Sequence, residues 1–385
     1  AGSGGIALIC ENGLARTSNF GSGAATVWDY KPWYGVSGFQ NVAARQGYTA
    51  VPDAFSYVSG PVKAWVLFST DGAVWEVDIA NRTYTSLGAP LGGISFQPGL
   101  GGANANGGMS IDASFTEPGV IAMVRVRGYT QTTLAHSEDG GANWSVVNFS
   151  GTPPSRRGAG GIWVSSRTPG KLVVGGSDGG DWFWGGEFGY VYKSANYGAT
   201  LATIGGGSLT APFNPSSIGS PYDAARNAAE DILFYSSSVY NSRDRFYRAN
   251  GTVQTDISPT ISGEYYACMA PRNGWSTAIN NANRLLLAAT KPDGTVRKLF
   301  LTNNALASTP SWTELTGTGG AAYGCCAISG DNPNVFYLWG GMSGGVGGVD
   351  TSTVALSIDG GTTIVSQVGN LASFTPGEVR MLVGW

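Results

Sequence analysis

The chain has 385 residues, 42% of them hydrophobic and only 12% charged, with 60 glycines and a formal net charge of −3. It has no Lys/Arg block, so it lacks the electrostatic footprint of a nucleic-acid binder, and no apolar run reaches the ~18–20 residues that a membrane-spanning helix needs. The apolar share is ample for a buried core and excludes a disordered chain; the glycines follow no three-residue period, which excludes collagen.

The opening segment "AGSGGIALIC" has no basic region and no long apolar stretch, so it is not an intact signal peptide. It fits a processed N-terminus or an arbitrary boundary. Residues 5–30 read as strands around "TSNFG" at 17–21, and "WDYKPWYGVSGF" at 28–39 as a long aromatic loop. "STDGAVW" at 69–75 is a turn with Asp71 and Trp75, and residues 80–108 form a Gly/Asn-rich linker. Two runs, "IDASFTEPGVIAMV" (111–124) and "IWVSSRTPGKLVVGG" (162–176), are each strand, Pro turn, strand; "SEDGGANW" (137–144) and "SANYGATL" (194–201) follow them. "GGSDGGDWFWGGEFGY" at 175–190 and "SSVYNSRDRFY" at 237–247 are further long loops. "YDAARNAAED" at 222–231 comes nearest to a helical pattern. "YRANGTV" (247–253), "FLTNNAL" (300–306), "CAISGDNPNVFYLWG" (326–340) and "SIDGGTTI" (357–364) complete the series, and "GEVRMLVGW" ends the chain as one more strand. Short runs rich in β-branched and aromatic residues, bounded by Gly, Pro, Asn and Asp, are strand punctuation.

A repeat underlies this order. Taking Asn19, Asp71, Asp139, Asn196, Asn250, Asn303 and Asp359 as a ruler, the turn recurs about every 55 residues. The best copies read Ser-x-Asp/Asn-x-Gly: Ser137, Asp139, Gly141 and Trp144; Ser194, Asn196 and Gly198; Ser357, Asp359 and Gly361. Four short strands per repeat of this length make a propeller blade. Strand 378–385 is placed to join the blade of residues 5–30, which removes free sheet edges.

These turns resemble the Asp-box, or BNR repeat, of sialidases, two-propeller xyloglucanases, sortilin-type receptors and photosystem-assembly propellers. The resemblance covers nearly the whole chain and implies an all-β, single seven-bladed β-propeller of four-stranded antiparallel blades, closed by the C-terminal strand. In that family the box is the turn between the third and fourth strands of a blade. An Asp at a turn start accepts backbone N–H bonds, and the final aromatic packs between blades. The box is therefore structural, and so are Asp139 and Trp144. His136, the only histidine, reads as a packed or surface residue, and Glu138 as a solvated turn residue.

Family members with known sites use the face opposite the boxes. The long loops there supply the candidates: Tyr30, Trp33, Tyr34, Trp182, Trp184, Tyr240 and Arg243 for ligand binding, with "GEYYAC" at 263–268 and Arg156–Arg157 beside them. Aromatic faces with a few carboxylates hold sugars, and they also make protein interfaces. Glycoside hydrolysis needs two carboxylates flanking one bond, and Asp178, Asp181, Glu187, Asp29 and Asp244 are the candidates. The departures count against an enzyme. No Arg-Ile-Pro segment of the sialidase kind occurs, and Asn19 stands where xyloglucanases carry an early Asp.

The four cysteines, Cys10, Cys268, Cys325 and Cys326, form no C-x-x-C pair, and one His cannot complete a zinc site. They read as buried thiols, with one disulfide involving Cys268 or Cys10 as the alternative. No cofactor is expected; a structural Ca²⁺ has no spaced acidic loop to hold it. The expectation is an extracellular, cell-surface or virion module that binds glycan or protein and neither nucleic acid nor membrane. A glycoside hydrolase and an assembly factor or virion structural protein are the alternatives.

Overall fold

The computed structural model describes residues 5–10, 13–32, 52–58, 63–68, 72–92, 109–113, 117, 119–127, 131–149, 161–164, 169–177, 189–200, 202–203, 214–219, 232–237, 245–250, 253–260, 283–290, 297–316, 325–328, 332–339, 354–374 and 379–384. Among these residues there is no α-helix; short 3₁₀ turns, Gly23–Ala25 and Gly369–Ser373 among them, interrupt an all-β chain. The segment 222–231 lies outside the described residues.

The strands form seven small sheets in which every pairing is antiparallel. Sheet 1 runs β27 (Val379–Gly384), β1 (Ile6–Cys10), β2 (Gly13–Thr17), β3 (Asp29–Pro32). Sheet 2 holds β4 (Pro52–Val58), β5 (Lys63–Phe68), β6 (Ala73–Asp78) and β7 (Thr83–Ser86). Sheet 3 holds β8 (Met109–Ala113), β9 (Ile121–Arg127), β10 (Gln131–Ser137) and β11 (Ser145–Phe149). Sheet 4 holds β12 (Gly161–Val164), β13 (Leu172–Ser177), β14 (Gly189–Ser194) and β15 (Ala202–Thr203). Sheet 5 holds β16 (Asn214–Gly219), β17 (Ile232–Ser237), β18 (Arg245–Asn250) and β19 (Val253–Asp256). Sheet 6 shows three strands among the described residues, β20 (Leu285–Thr290), β21 (Arg297–Thr302) and β22 (Thr313–Leu315). Sheet 7 holds β23 (Cys325–Ile328), β24 (Phe336–Trp339), β25 (Val354–Ser357) and β26 (Val365–Ser366).

The core lies between sheets, and period-2 alternation builds it. Successive residues of a strand point to opposite faces. In β9, Ile121 and Met123 pack toward sheet 2 with Trp65 and Val74, whereas Ala122 and Val124 pack toward sheet 4 with Ile162 and Val174. In β20, Leu285 and Leu287 join Phe246 of sheet 5, while Leu286 joins Phe336 and Leu338 of sheet 7. This is why the middle strands read as continuous apolar runs: both faces are buried. Sheet 7 meets sheet 1 through Trp339 and Val354 against Leu8, Cys10 and the buried Trp28. Sheets 4 and 5 touch through β12 and β16.

Sheet 1 is made from both ends of the chain. Leu8 faces Leu382 and Ala7 faces Val383 in the β1–β27 ladder. A second tie sits beside it. Gln367, 1% exposed, accepts bonds at Oε1 from Gly21 N (2.8 Å), Gly23 N (3.1 Å) and Thr26 Oγ1 (3.0 Å). Asn370 accepts Trp28 N at 2.6 Å and donates to Trp28 O at 3.1 Å, while Trp28 Nε1 donates to Gln367 O at 2.9 Å.

Cys10 and Cys326 are buried thiols whose Sγ atoms lie near the carbonyls of Leu8 (3.8 Å) and Leu286 (3.7 Å). Cys268 lies outside the described residues, and Cys325 sits in β23.

Candidate functional site

Antiparallel alternation sorts the connections onto two rims. The turns leading into the last strand of each sheet share one rim with the connections between the first and second strands. Hydrogen bonds join them: Gly140 N donates to Gly119 O (2.9 Å), Tyr197 N to Gly170 O (2.8 Å) and Gly360 N to Asn334 O (2.8 Å). Connections between second and third strands, and those from sheet to sheet, leave from the opposite rim.

On the first rim one turn design recurs. Asp139 Oδ1 takes the hydroxyl of Ser137 (2.8 Å) and the backbone N–H of Asn143 (2.9 Å), and Ser137 Oγ takes Gly141 N at 2.8 Å. Asn196 stands in the same place, with Ser194 at 2.9 Å and Thr200 N at 2.9 Å; so does Asp359, with Ser357 at 2.9 Å and Thr363 N at 2.8 Å. These bonds to the charged form hold Asp139 down to about 2, the Asn143 N–H being the largest cause, and Asp359 is lowered in the same way by Thr363.

Two further copies carry insertions. Asn19 takes Thr17 Oγ1 (2.6 Å) and Val27 N (2.9 Å); Asn304 takes Thr302 Oγ1 (2.8 Å) and Ser311 N (2.9 Å). In all five the bonded N–H belongs to the residue before a large apolar one: Trp28, Trp144, Leu201, Trp312 and Ile364. Where described, that residue packs on the preceding sheet. Trp144 lies against the Trp65 cluster, Ile364 against the Leu286 cluster, and Trp312 against Phe246 with Nε1 bonded to Ile257 O at 2.8 Å.

Three expectations are corrected here. "STDGAVW" does not enter a last strand: Phe68 pairs with Ala73, so 69–72 closes the hairpin between β5 and β6 on the opposite rim. Asp71 lies outside the described residues, and Trp75 sits within β6 between Val66 and Ser86. The turn into β7 is held instead by Asp78, which accepts Asn81 N at 2.9 Å and is lowered mainly by that bond. In sheet 5, Asn250 pairs with Val253 across a tight hairpin. In sheet 6 the ruler residue is Asn304, and Asn303 instead receives Arg284 Nη1 at 2.8 Å.

The residue just before the turn hydroxyl reaches the next sheet. Arg16 donates to Ile79 O (3.1 Å) and Ala80 O (2.6 Å) of sheet 2. His136 stacks on Tyr197 of sheet 4, ring centroids 5.0 Å apart and planes 13° off parallel. In sheet 5, Arg248 does the same work on the carbonyls of Ala305 and Ala307, both at 2.8 Å.

Of the candidate ligand and catalytic residues, the structure describes two. Asp29 lies between two guanidiniums, Arg16 Nη2 at 3.3 Å and Arg82 Nη1 at 2.8 Å, in a tie between sheets 1 and 2. Tyr30 stacks on Phe374 at 5.1 Å. Trp33, Tyr34, Asp178, Asp181, Trp182, Trp184, Glu187, Tyr240, Arg243 and Asp244 lie outside the described residues. Their segments follow β3, join β13 to β14 and join β17 to β18, all at strand ends of the rim opposite the recurrent turns. Among the described residues no three His, Cys, Asp or Glu groups gather to hold a metal ion, and no helix is long and apolar enough to cross a membrane.

Solved structures with this arrangement are known. The GH74 xyloglucanase from Xanthomonas campestris superposes with a TM-score of 0.59 at 12% identity, over 95% of this chain and 52% of that one. YCF48 bound to D1 peptide gives 0.51 at 13% identity, over 82% of this chain and 83% of that one. The fold is a β-propeller. A functionally unknown protein from Desulfotomaculum acetoxidans matches from end to end, with a TM-score of 0.54 at 10% identity over 100% of this chain and 99% of that one. No protein-family model and no curated protein matches the sequence. The propeller spans about half the length of the xyloglucanase, and at such identities the likeness is one of fold alone.

Proposed function

We propose that the chain is a closed seven-bladed propeller of Asp-box type that serves as an extracellular, cell-surface or virion recognition module. It holds a glycan or protein ligand on the rim opposite the boxes. One observation carries this reading: on the box rim the acceptor side chains of the recurrent turns make their hydrogen bonds within the turn. Asp139, Asn196, Asn304 and Asp359 each accept both a hydroxyl and a backbone N–H. The aromatic-rich segments with Trp33, Tyr34, Trp182, Trp184, Tyr240 and Arg243 all leave from the other rim, and such residues form the anchors of binding surfaces.

The propeller neighbours include a glycoside hydrolase and a protein bound to a peptide, so both kinds of ligand are within the reach of the fold. Blind binding to a glycan array and to a peptide library tests the reading. Trp182→Ala and Trp184→Ala should abolish the binding found without moving the unfolding midpoint. Reducing-sugar release from polysaccharides, lost in Asp181→Asn or Glu187→Gln, would replace it with the hydrolase reading.

A further inference from the structure

His136 is the only histidine of the chain, and it stands at the joint between sheets 3 and 4. Its partner Tyr197 holds a left-handed backbone, φ 52, where the two sister turns carry Gly140 and Gly360. A left-handed conformation is strained for a residue with a Cβ, and the ring contact is made by the residue that carries that strain. The imidazole is 13% exposed, and Nδ1 is buried with no hydrogen-bond partner among the described residues. Nε2 lies 3.7 Å from Glu138 Oε1, an exposed carboxylate. Among the described residues, the other titratable groups that act on the contact are Glu117, on the connection between β8 and β9, and the Tyr197 phenol. Burial first, then Glu117 and Glu138, raises that phenol and keeps it neutral.

In its neutral form the imidazole places only a lone pair at Nδ1. A proton there becomes a buried cationic N–H that faces no acceptor among the described residues, and leaving such a group unmet is costly. Burial lowers the affinity of the ring for a proton, Glu138 opposes it, and burial is the larger cause. We propose that the His136–Tyr197 contact is an acid-sensitive joint between sheets 3 and 4, closed with a neutral imidazole and loosened when Nδ1 is protonated. A basic group with a depressed pKa binds fewer protons folded than unfolded, so stability is full above the unfolded value. It is lost as pH falls below about 6.5 through the folded value. The joint also bears on the ligand rim: β14 leads from the segment of Trp182 and Trp184 straight to the turn of Tyr197.

The test is clean because one histidine gives one pair of ring-proton resonances. Its NMR titration should fall below the ordinary value of about 6.5. The wild-type unfolding midpoint should drop between about pH 7 and about pH 5, and His136→Phe, which keeps the stack without the titration, should lack that drop. The α-amino group is common to both proteins and cancels, and a Glu117→Gln background removes the raised carboxyl of Glu117. Amide exchange at Tyr197 should accelerate over the same window in the wild type. A histidine titrating at or above the ordinary value, or parallel profiles for wild type and His136→Phe, overturns the proposal. Should His136→Phe fail to fold, the wild-type titration and the Tyr197 exchange decide it alone.

Discussion

The side-chain oxygen of Asn304 accepts the backbone N–H of Ser311 at 2.9 Å, and the next residue, Trp312, lies against Phe246 of the preceding sheet. The same side chain also takes Thr302 Oγ1, so one carboxamide fixes both ends of a turn longer than its sisters. Asn304→Ala should therefore lower stability by about 1 kcal/mol, as loss of a helix cap does. Asn303→Ala, whose side chain receives the half-buried Arg284 rather than a turn N–H, should stay within about 0.5 kcal/mol. Urea unfolding of the two variants measures the difference.

Gly141 and Gly140 separate backbone strain from packing between sheets. Both are left-handed, at φ 93 and 76. A Cβ on Gly140 meets nothing within 4 Å, whereas one on Gly141 stands 2.6 Å from Leu87 Cδ1, at the edge of sheet 2. Gly140→Ala should cost about 1 kcal/mol, and Gly141→Ala about 1–3 kcal/mol more. Equal losses would mean that Leu87 yields without cost.

Gln367→Leu removes the acceptor of two backbone N–H groups in the turn of sheet 1. Unmet donors of this kind make the expected loss roughly 3 kcal/mol. Gln367→Glu keeps an acceptor and should lose less. Thermal unfolding of both, with exchange at Gly21 and Gly23, checks this.

Asp139 sets an acid limit. Its folded carboxyl lies at about 2 against a usual value of 3.8. A depressed carboxylate contributes stability above its unfolded pKa and loses it as pH falls through the folded one. Wild type should weaken between about pH 4 and about pH 2, and Asp139→Ala should be weaker throughout with a flatter slope there. Its ligand affinity should equal that of the wild type.

The legible parts of the fold were those written in short, uninterrupted code. Ser137-x-Asp139-x-Gly141 keeps the hydroxyl, the acceptor and the glycine at fixed spacing, and Ser194 and Ser357 repeat it. Thr17–Trp28 and Thr302–Trp312 make the same bonds, but loops intervene between the acceptor and the tryptophan, so the spacing marks Asn19 without its tryptophan and puts Asn303 where Asn304 belongs. "STDGAVW" misleads because Ser, Asp and Gly serve any hairpin, and only the pairing of Phe68 with Ala73 shows which one. The partners of His136 and Arg16 are distant in sequence, so no local pattern announces them. The residues proposed for ligand binding beyond Tyr30 lie outside the described residues, and their assignment rests on strand direction.

The ladder between Leu8 and Leu382 also has a meaning in time. β1 precedes every other strand of the seven sheets in the chain and β27 follows them all, so sheet 1 begins before the other six and is completed after them. Until β27 arrives, the edge of β1 that it covers is unpaired, and an open strand edge is a template for wrong pairing. A circular permutant that begins at residue 33 and joins the old termini would make sheet 1 from one continuous run, and should refold faster and aggregate less than the parent.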